Sequence, residues 1–171
     1  MFVPDCIFET FDEITPAFLK EHGIRCILCD IDNTLVTYDD AEPTERVLAW
    51  LSLLRSEGID VIFLSNNKSD RAKIFAEKLP NKHYAPAKKP LTKMAKRALA
   101  ENGYTVSECA VLGDQIFTDI LTGDFLGAPL TLLVPPIKDL TNLFFRTKRF
   151  LEKPFLRSYR RREEKRKKDN Q

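Results

Sequence analysis

"CILCDIDNTLVTYDD", residues 26–40, decides how the chain is read. It begins as a continuous apolar run, the pattern of a strand buried on both faces rather than one that alternates toward water. The run ends in two carboxylates, Asp30 and Asp32, and carries Cys26 and Cys29 in a C-x-x-C spacing. On a strand, residues three apart point to opposite faces, so the two thiols cannot jointly clamp a metal or close a local disulfide. Both read as core residues, which leaves the aspartates as what the strand delivers.

Strand and helix alternate outward from this segment. Strands are expected over 24–32, 59–64, near 82–85, over 109–114 and over 130–134. Between the first two, Pro43 and Thr44 open a helix with Val47, Leu48, Leu51 and Leu54 on one face, closed by Gly58. Further helices are expected from Ser69 to Leu79, from Pro90 to Asn102 and over 117–126. This order predicts an α/β protein: a three-layer, Rossmann-like domain with a mainly parallel five-stranded sheet. Ligands of such sheets bind outside the carboxyl ends of the strands, where strand order reverses. Asp30 and Asp32 end the first of these strands, Ser65 and Asn66 the second, and Asp114 the fourth, while Lys88 and Lys89 follow the third.

Three carboxylates converging on one rim, Asp30, Asp32 and Asp114, repel one another unless a cation holds them, and an all-oxygen set suits Mg²⁺. Asp119 stands near enough in sequence to support them. A hydroxyl (Ser65), an amide (Asn66) and an ammonium (Lys89) complete a set suited to a phosphoryl group. His22 and His83 have no such partners and read as structural or exposed.

Four stretches, "DIDNT" at 30–34, "LSNN" at 64–67, "KKP" at 88–90 and "GDQIFTD" at 113–119, resemble the ordered motifs of the haloacid dehalogenase (HAD) superfamily. More narrowly they resemble the subfamily IIIA phosphatases of the YqeG type, related to the mitochondrial phosphatidylglycerophosphate phosphatase. The resemblance implies Asp30 as nucleophile forming an aspartyl-phosphate, and Asp32 as general acid and base with its backbone carbonyl on Mg²⁺. It further implies Ser65 and Lys89 on the phosphoryl group, with Asn66 beside them. By the same resemblance Asp114 would complete the metal sphere, with Asp119 orienting it or a bound water. Asn33, where many relatives have glycine, is a side chain that tolerates unusual backbone angles.

The intervals from Asp32 to Ser65 and from Asn66 to Lys89 are too short for an inserted cap domain. The site is therefore expected to be open, suiting a phosphate presented on a large molecule or a membrane surface. An acidic N-terminus, "MFVPDCIFETFDE", is unlike a basic secretory signal, and "FLGAPLTLLVPPI", 13 residues with three prolines, is too short to span a bilayer. The expectation is a cytoplasmic protein, peripheral at most on the inner face of the membrane.

Net charge is +2, but it is unevenly placed. Residues 138–171 hold 13 Lys/Arg against 5 Asp/Glu, leaving −6 for residues 1–137. The division expected is a phosphatase core over 1–137 and, over 138–171, a basic amphipathic helix followed by a disordered basic tail. Leu140, Leu143, Phe144 and Leu151 recur at helical spacing, and Pro154 is read as the stop. That helix either packs on the domain or lies on anionic membrane with Phe150 and Phe155 as anchors. The favoured function is hydrolysis of phosphatidylglycerophosphate. The alternatives are a HAD phosphatase for a phosphoprotein, nucleotide or sugar phosphate, and a domain docking on RNA or the ribosome through the tail. Nucleic acid is the weaker partner, because aromatic residues do not interleave the terminal basic run beyond Tyr159.

Overall fold

The computed structural model describes residues 1–40, 42–67, 74, 75, 77–138 and 143–169, with the side chains of 143–146, 148, 149 and 169 left out. Its strands are β1 (Cys6–Ile7), β2 (Cys26–Cys29), β3 (Asp60–Leu64), β4 (His83–Tyr84), β5 (Cys109–Gly113) and β6 (Leu130–Leu133). They form one sheet in the order β1-β6-β5-β2-β3-β4, with every neighbouring pair parallel. The sheet has six strands rather than the expected five. β1 adds the sixth by pairing Cys6 with Leu132 and Ile7 with Leu133. Two residues are too few to leave a periodic signal in the sequence.

Because side chains alternate along a strand, β2 feeds two cores. Ile27 and Cys29 join Val61, Phe63, Ala110 and Leu112 on one face, while Cys26 and Leu28 join Ile62, Leu64, Cys109 and Val111 on the other. The C-x-x-C thiols thus lie on opposite sides of the sheet, and all four cysteines are free. Burial pushes the Cys26 and Cys29 thiols up and the Cys109 thiol to about 12, so they stay protonated and unreactive.

Helices α1 (Pro16–Glu21) and α2 (Glu45–Ser56) contribute Leu19, Val47, Trp50 and Leu54 to the first core. Helix α3 (Lys93–Glu101) contributes Ala95, Ala98 and Leu99 to the second. Thr44 caps α2 by accepting from the Val47 N–H at 3.3 Å. Its buried stripe includes Trp50, whose indole N–H donates to the Ile14 carbonyl at 3.0 Å, whereas Leu48, expected inside, is exposed. Of the helix expected over 69–79, Ile74, Phe75 and Glu77 are helical, and residues 69–73 and 76 lie outside the described residues.

After β5 the chain makes one turn of π-helix, Ile116–Ile120, and continues directly into α4 (Leu121–Leu126), which Gly127 ends in a left-handed conformation. Helix α5 (Leu143–Asp169) runs through Pro154, where the sequence pattern had placed a stop, and includes the basic run read as disordered. Its inward stripe is Glu152, Phe155, Leu156 and Tyr159, while Leu151, assigned to the apolar face, is exposed. Leu140 lies outside the described residues. From β2, the chain builds β3 and β4 on one side and then crosses to β5 and β6 on the other, so strand order reverses at β2.

Candidate active site

The carboxyl ends of β2, β3 and β5 bring Asp30, Asp32, Ser65 and Asp114 to one rim, all buried, and the segment after β4 adds buried Lys89. Lys89 Nζ lies 2.6 Å from Asp30 Oδ1 and 2.6 Å from Asp119 Oδ1. The Thr34 hydroxyl donates to the other Asp30 oxygen at 3.2 Å. Removing one partner from a buried set of this kind costs about 3–5 kcal/mol, because the remaining charges lose their compensation. Burial pushes the Asp30 carboxyl up to about 7; Lys89 opposes that, while Asp119 and Asp114 add to it. Burial also works against the charge on Lys89, but Asp119 and Asp30 outweigh it and hold its pKa raised. Lys88, the alternative lysine, is exposed at a φ of 57°.

Asn66 was expected on substrate, yet its amide is engaged with the Lys89 backbone. Its Nδ2 donates to the Lys89 carbonyl at 3.1 Å, and its Oδ1 accepts from the Lys89 N–H at 2.6 Å. It therefore sets where the lysine starts. The next residue, Asn67, holds the other acid: its Nδ2 donates to Asp32 Oδ2 at 3.0 Å, and its N–H donates to Ser65 Oγ at 3.0 Å. Sequence reasoning gave Asn67 no role, although it stands inside the quoted "LSNN".

Asn33 has a φ of 66°, as its side chain permits, and it also ties the loop down. Its Oδ1 accepts from the Lys138 N–H at 2.9 Å and its Nδ2 donates to the Lys138 carbonyl at 2.7 Å. Asn33 N donates to the Val36 carbonyl at 2.7 Å, so the loop folds back and brings Tyr38 into the cleft. Burial first, and then the charges of Asp114, Asp30 and Asp119, push the Tyr38 hydroxyl up to about 12, keeping it a donor. Tyr38, Gln115 and Thr118 complete the walls of a cleft of about 340 Å³ around Asp30, Asp32, Ser65, Asn66, Asn67, Lys89 and Asp119. No folded unit is inserted over it among the described residues.

Asp30, Asp114 and Asp119 each offer one carboxylate oxygen, and these atoms lie within 4.8 Å of one another. Asp119, read from sequence as a supporting group, stands with the carboxylates that can hold a cation. It is fixed there by the Gln115 N–H at 3.1 Å and the Thr118 hydroxyl at 3.2 Å. Gly113 makes room for it: a Cβ at that position would land on the Asp119 carboxyl group. The donor set fits a hard divalent cation, since three buried carboxylates offer oxygen atoms within 4.8 Å of one another.

A buried carboxylate paired with a buried lysine, a second carboxyl group beside it and a cluster of carboxylates at the switch point of a parallel sheet are the arrangement of a HAD-type phosphatase. The family model described as mitochondrial PGP phosphatase matches residues 1–138, and the chain belongs to that family. "Probable phosphatase YqeG" of Bacillus subtilis (strain 168) is 35% identical over 160 residues, covering 94% of this chain and 92% of that protein. The chain is accordingly a phosphatase of the YqeG type, a phosphoric monoester hydrolase. No solved structure matches it.

Proposed function

We propose that the enzyme is a Mg²⁺-dependent phosphomonoesterase that works through an aspartyl-phosphate on Asp30 and acts on phosphatidylglycerophosphate. The observation that carries the chemistry is the 2.6 Å pair of Asp30 and Lys89 in a cleft that also holds Asp32 and Ser65. An Asp30 oxygen forms a bond to phosphorus as the ester P–O bond breaks, and Asp32 gives its proton to the departing alkoxide. Asp32, now a carboxylate, takes a proton from water. The water oxygen bonds to phosphorus, releasing inorganic phosphate and restoring Asp30. Ser65 and Lys89 donate to the phosphoryl oxygens throughout, as positioned donors aimed at developing charge.

Asp30, Asp114 and the Asp32 backbone carbonyl would hold Mg²⁺, with Asp119 beside them. When bound, the ion offsets phosphoryl charge and favours the ionised form of Asp30. Asn67 keeps Asp32 turned toward the cleft, and Asn66 keeps Lys89 in reach of both phosphate and nucleophile.

Three features support a lipid substrate. The family's description names a PGP phosphatase. The cleft has no inserted unit enclosing it among the described residues. Phe150 and Leu151 are 66% and 53% exposed on a helix whose outer face is basic, an arrangement suited to an anionic membrane. No helix among the described residues is long and apolar enough to cross a membrane, so contact by α5 would be peripheral. The test is phosphate release with Mg²⁺ from phosphatidylglycerophosphate in mixed micelles, beside nucleotide, sugar and peptide phosphates. The lipid is expected to be the best substrate. Activity confined to the soluble phosphoesters would overturn the lipid reading and leave the chemistry standing.

A further inference from the structure

Helix α5 lies outside the residues matched by the family model, yet it delivers a buried carboxylate to the back of the site. Glu152 is 2% exposed, and its Oε1 accepts a hydrogen bond from the Ile116 N–H at 2.9 Å. Ile116 opens the π-turn that carries Asp119 and lies two residues after Asp114. Glu152 and Asp114 both line a cavity of about 530 Å³ beneath α5.

The first N–H groups of a helix have no partner within it, and a carboxylate is favoured there by the helix dipole. A buried carboxylate is costly unless it is hydrogen-bonded. Glu152 and Ile116 therefore satisfy each other, and the geometry of the bond depends on where α5 sits. That position is set by four contacts. Phe155 stacks on Phe2 with ring centroids 5.2 Å apart and meets Phe117 of the π-turn at 5.9 Å. The Tyr159 hydroxyl accepts from the Ile7 N–H at 3.2 Å, and Arg162 donates to the Pro4 carbonyl at 2.7 Å.

We propose that Glu152 is a positioning residue of the phosphatase site, holding the segment from Asp114 to Asp119 in place from the tail helix through the Ile116 N–H. The tail is then part of the support of the active centre. The proposal rests on the reading of that centre given above. The two are separable, because an Asp30→Asn protein with wild-type activity would sink the site reading whatever Glu152 does.

The test compares full-length Glu152→Ala, Glu152→Gln and Leu54→Ala proteins with wild type, measuring kcat and KM on an aryl phosphate with Mg²⁺ and the thermal midpoint. Glu152→Ala is expected to lower kcat about tenfold to a hundredfold with KM within about twofold, the signature of a misplaced catalytic group. Glu152→Gln, whose amide oxygen still accepts from Ile116, is expected to restore kcat to within about threefold. Leu54→Ala, which removes core packing beneath α2 and leaves the contacts of α5 as they are, is expected to lower the midpoint and spare kcat. A wild-type kcat in Glu152→Ala, a Glu152→Gln as slow as Glu152→Ala, or an equal loss in Leu54→Ala would each overturn the proposal. If Glu152→Ala does not fold, Glu152→Asp, which draws the oxygen back from Ile116, takes its place with the same outcomes.

Discussion

At the scale of single residues, the centre is a balance of buried charges whose members also fix one another's positions. Lys89 pairs with both Asp30 and Asp119 at 2.6 Å, and Asn66 and Asn67 fix Lys89 and Asp32 from one dipeptide. Asp30, Asp32, Ser65 and Asp114 were legible as candidates because each stands at or just past a strand end inside a motif, and Lys89 because it stands in the motif that follows β4. Asn67 and Tyr38 were not, since an amide or a phenol acquires its role only from the partner that folding brings to it. Gly113 illustrates the same limit, because its lack of a side chain matters only against the Asp119 carboxyl group lying over it. Gly113→Ala must therefore displace Asp119 or the end of β5. A stability loss of about 1–3 kcal/mol is expected from the overpacking, measured by urea unfolding. Hydrolysis of an aryl phosphate is expected to fall about a hundredfold, since a shift of about 1 Å at a reacting centre costs that much.

At the scale of elements, α5 departs most from the sequence reading. Proline in a helix interior removes a hydrogen bond and clashes with the preceding turn, which is why Pro154 reads as a stop. The stripe of Glu152, Phe155, Leu156 and Tyr159 spans that point and packs inward, so tertiary contacts override the local preference. Of the two anchors expected, Phe155 is occupied by Phe2 and Phe117, which leaves Phe150 with Leu151. Packing of the helix and a membrane contact are compatible, because they use different faces. Deleting the tail would remove Glu152 and Tyr159 together with the basic charges, so it cannot separate recruitment from catalysis. Reversing the exposed Lys153, Arg157 and Arg161 to glutamate can. At about 1 kcal/mol for each basic residue near an anionic surface, the triple variant is expected to bind phosphatidylglycerol vesicles about a hundredfold more weakly. Added salt should shrink that difference, and aryl phosphate hydrolysis should be unchanged. Equal vesicle binding in a co-sedimentation assay would remove α5 from the membrane contact.

At the scale of the molecule, the fold is a parallel sheet whose two buried faces make the strand ends rigid, so that four loops meet with little freedom. This much was readable, because continuous apolar strands alternating with amphipathic helices admit few topologies. The sixth strand was not: Cys6 and Ile7 are held by their neighbours in β6 rather than by any local pattern. Nor was the way the two chain ends meet, where Phe2, Pro4 and Ile7 receive α5 and tie the tail to the edge of the sheet. The proposed mechanism makes one oxygen atom of Asp30 the nucleophile. The direct test is rapid acid quenching of wild-type and Asp30→Asn proteins during turnover of a phosphate-labelled substrate with Mg²⁺, with steady-state hydrolysis measured in parallel. Wild type is expected to carry label on Asp30, and Asp30→Asn to carry none and to be slower by at least about a thousandfold. Labelled Asp30→Asn protein, or hydrolysis at the wild-type rate, would contradict the account.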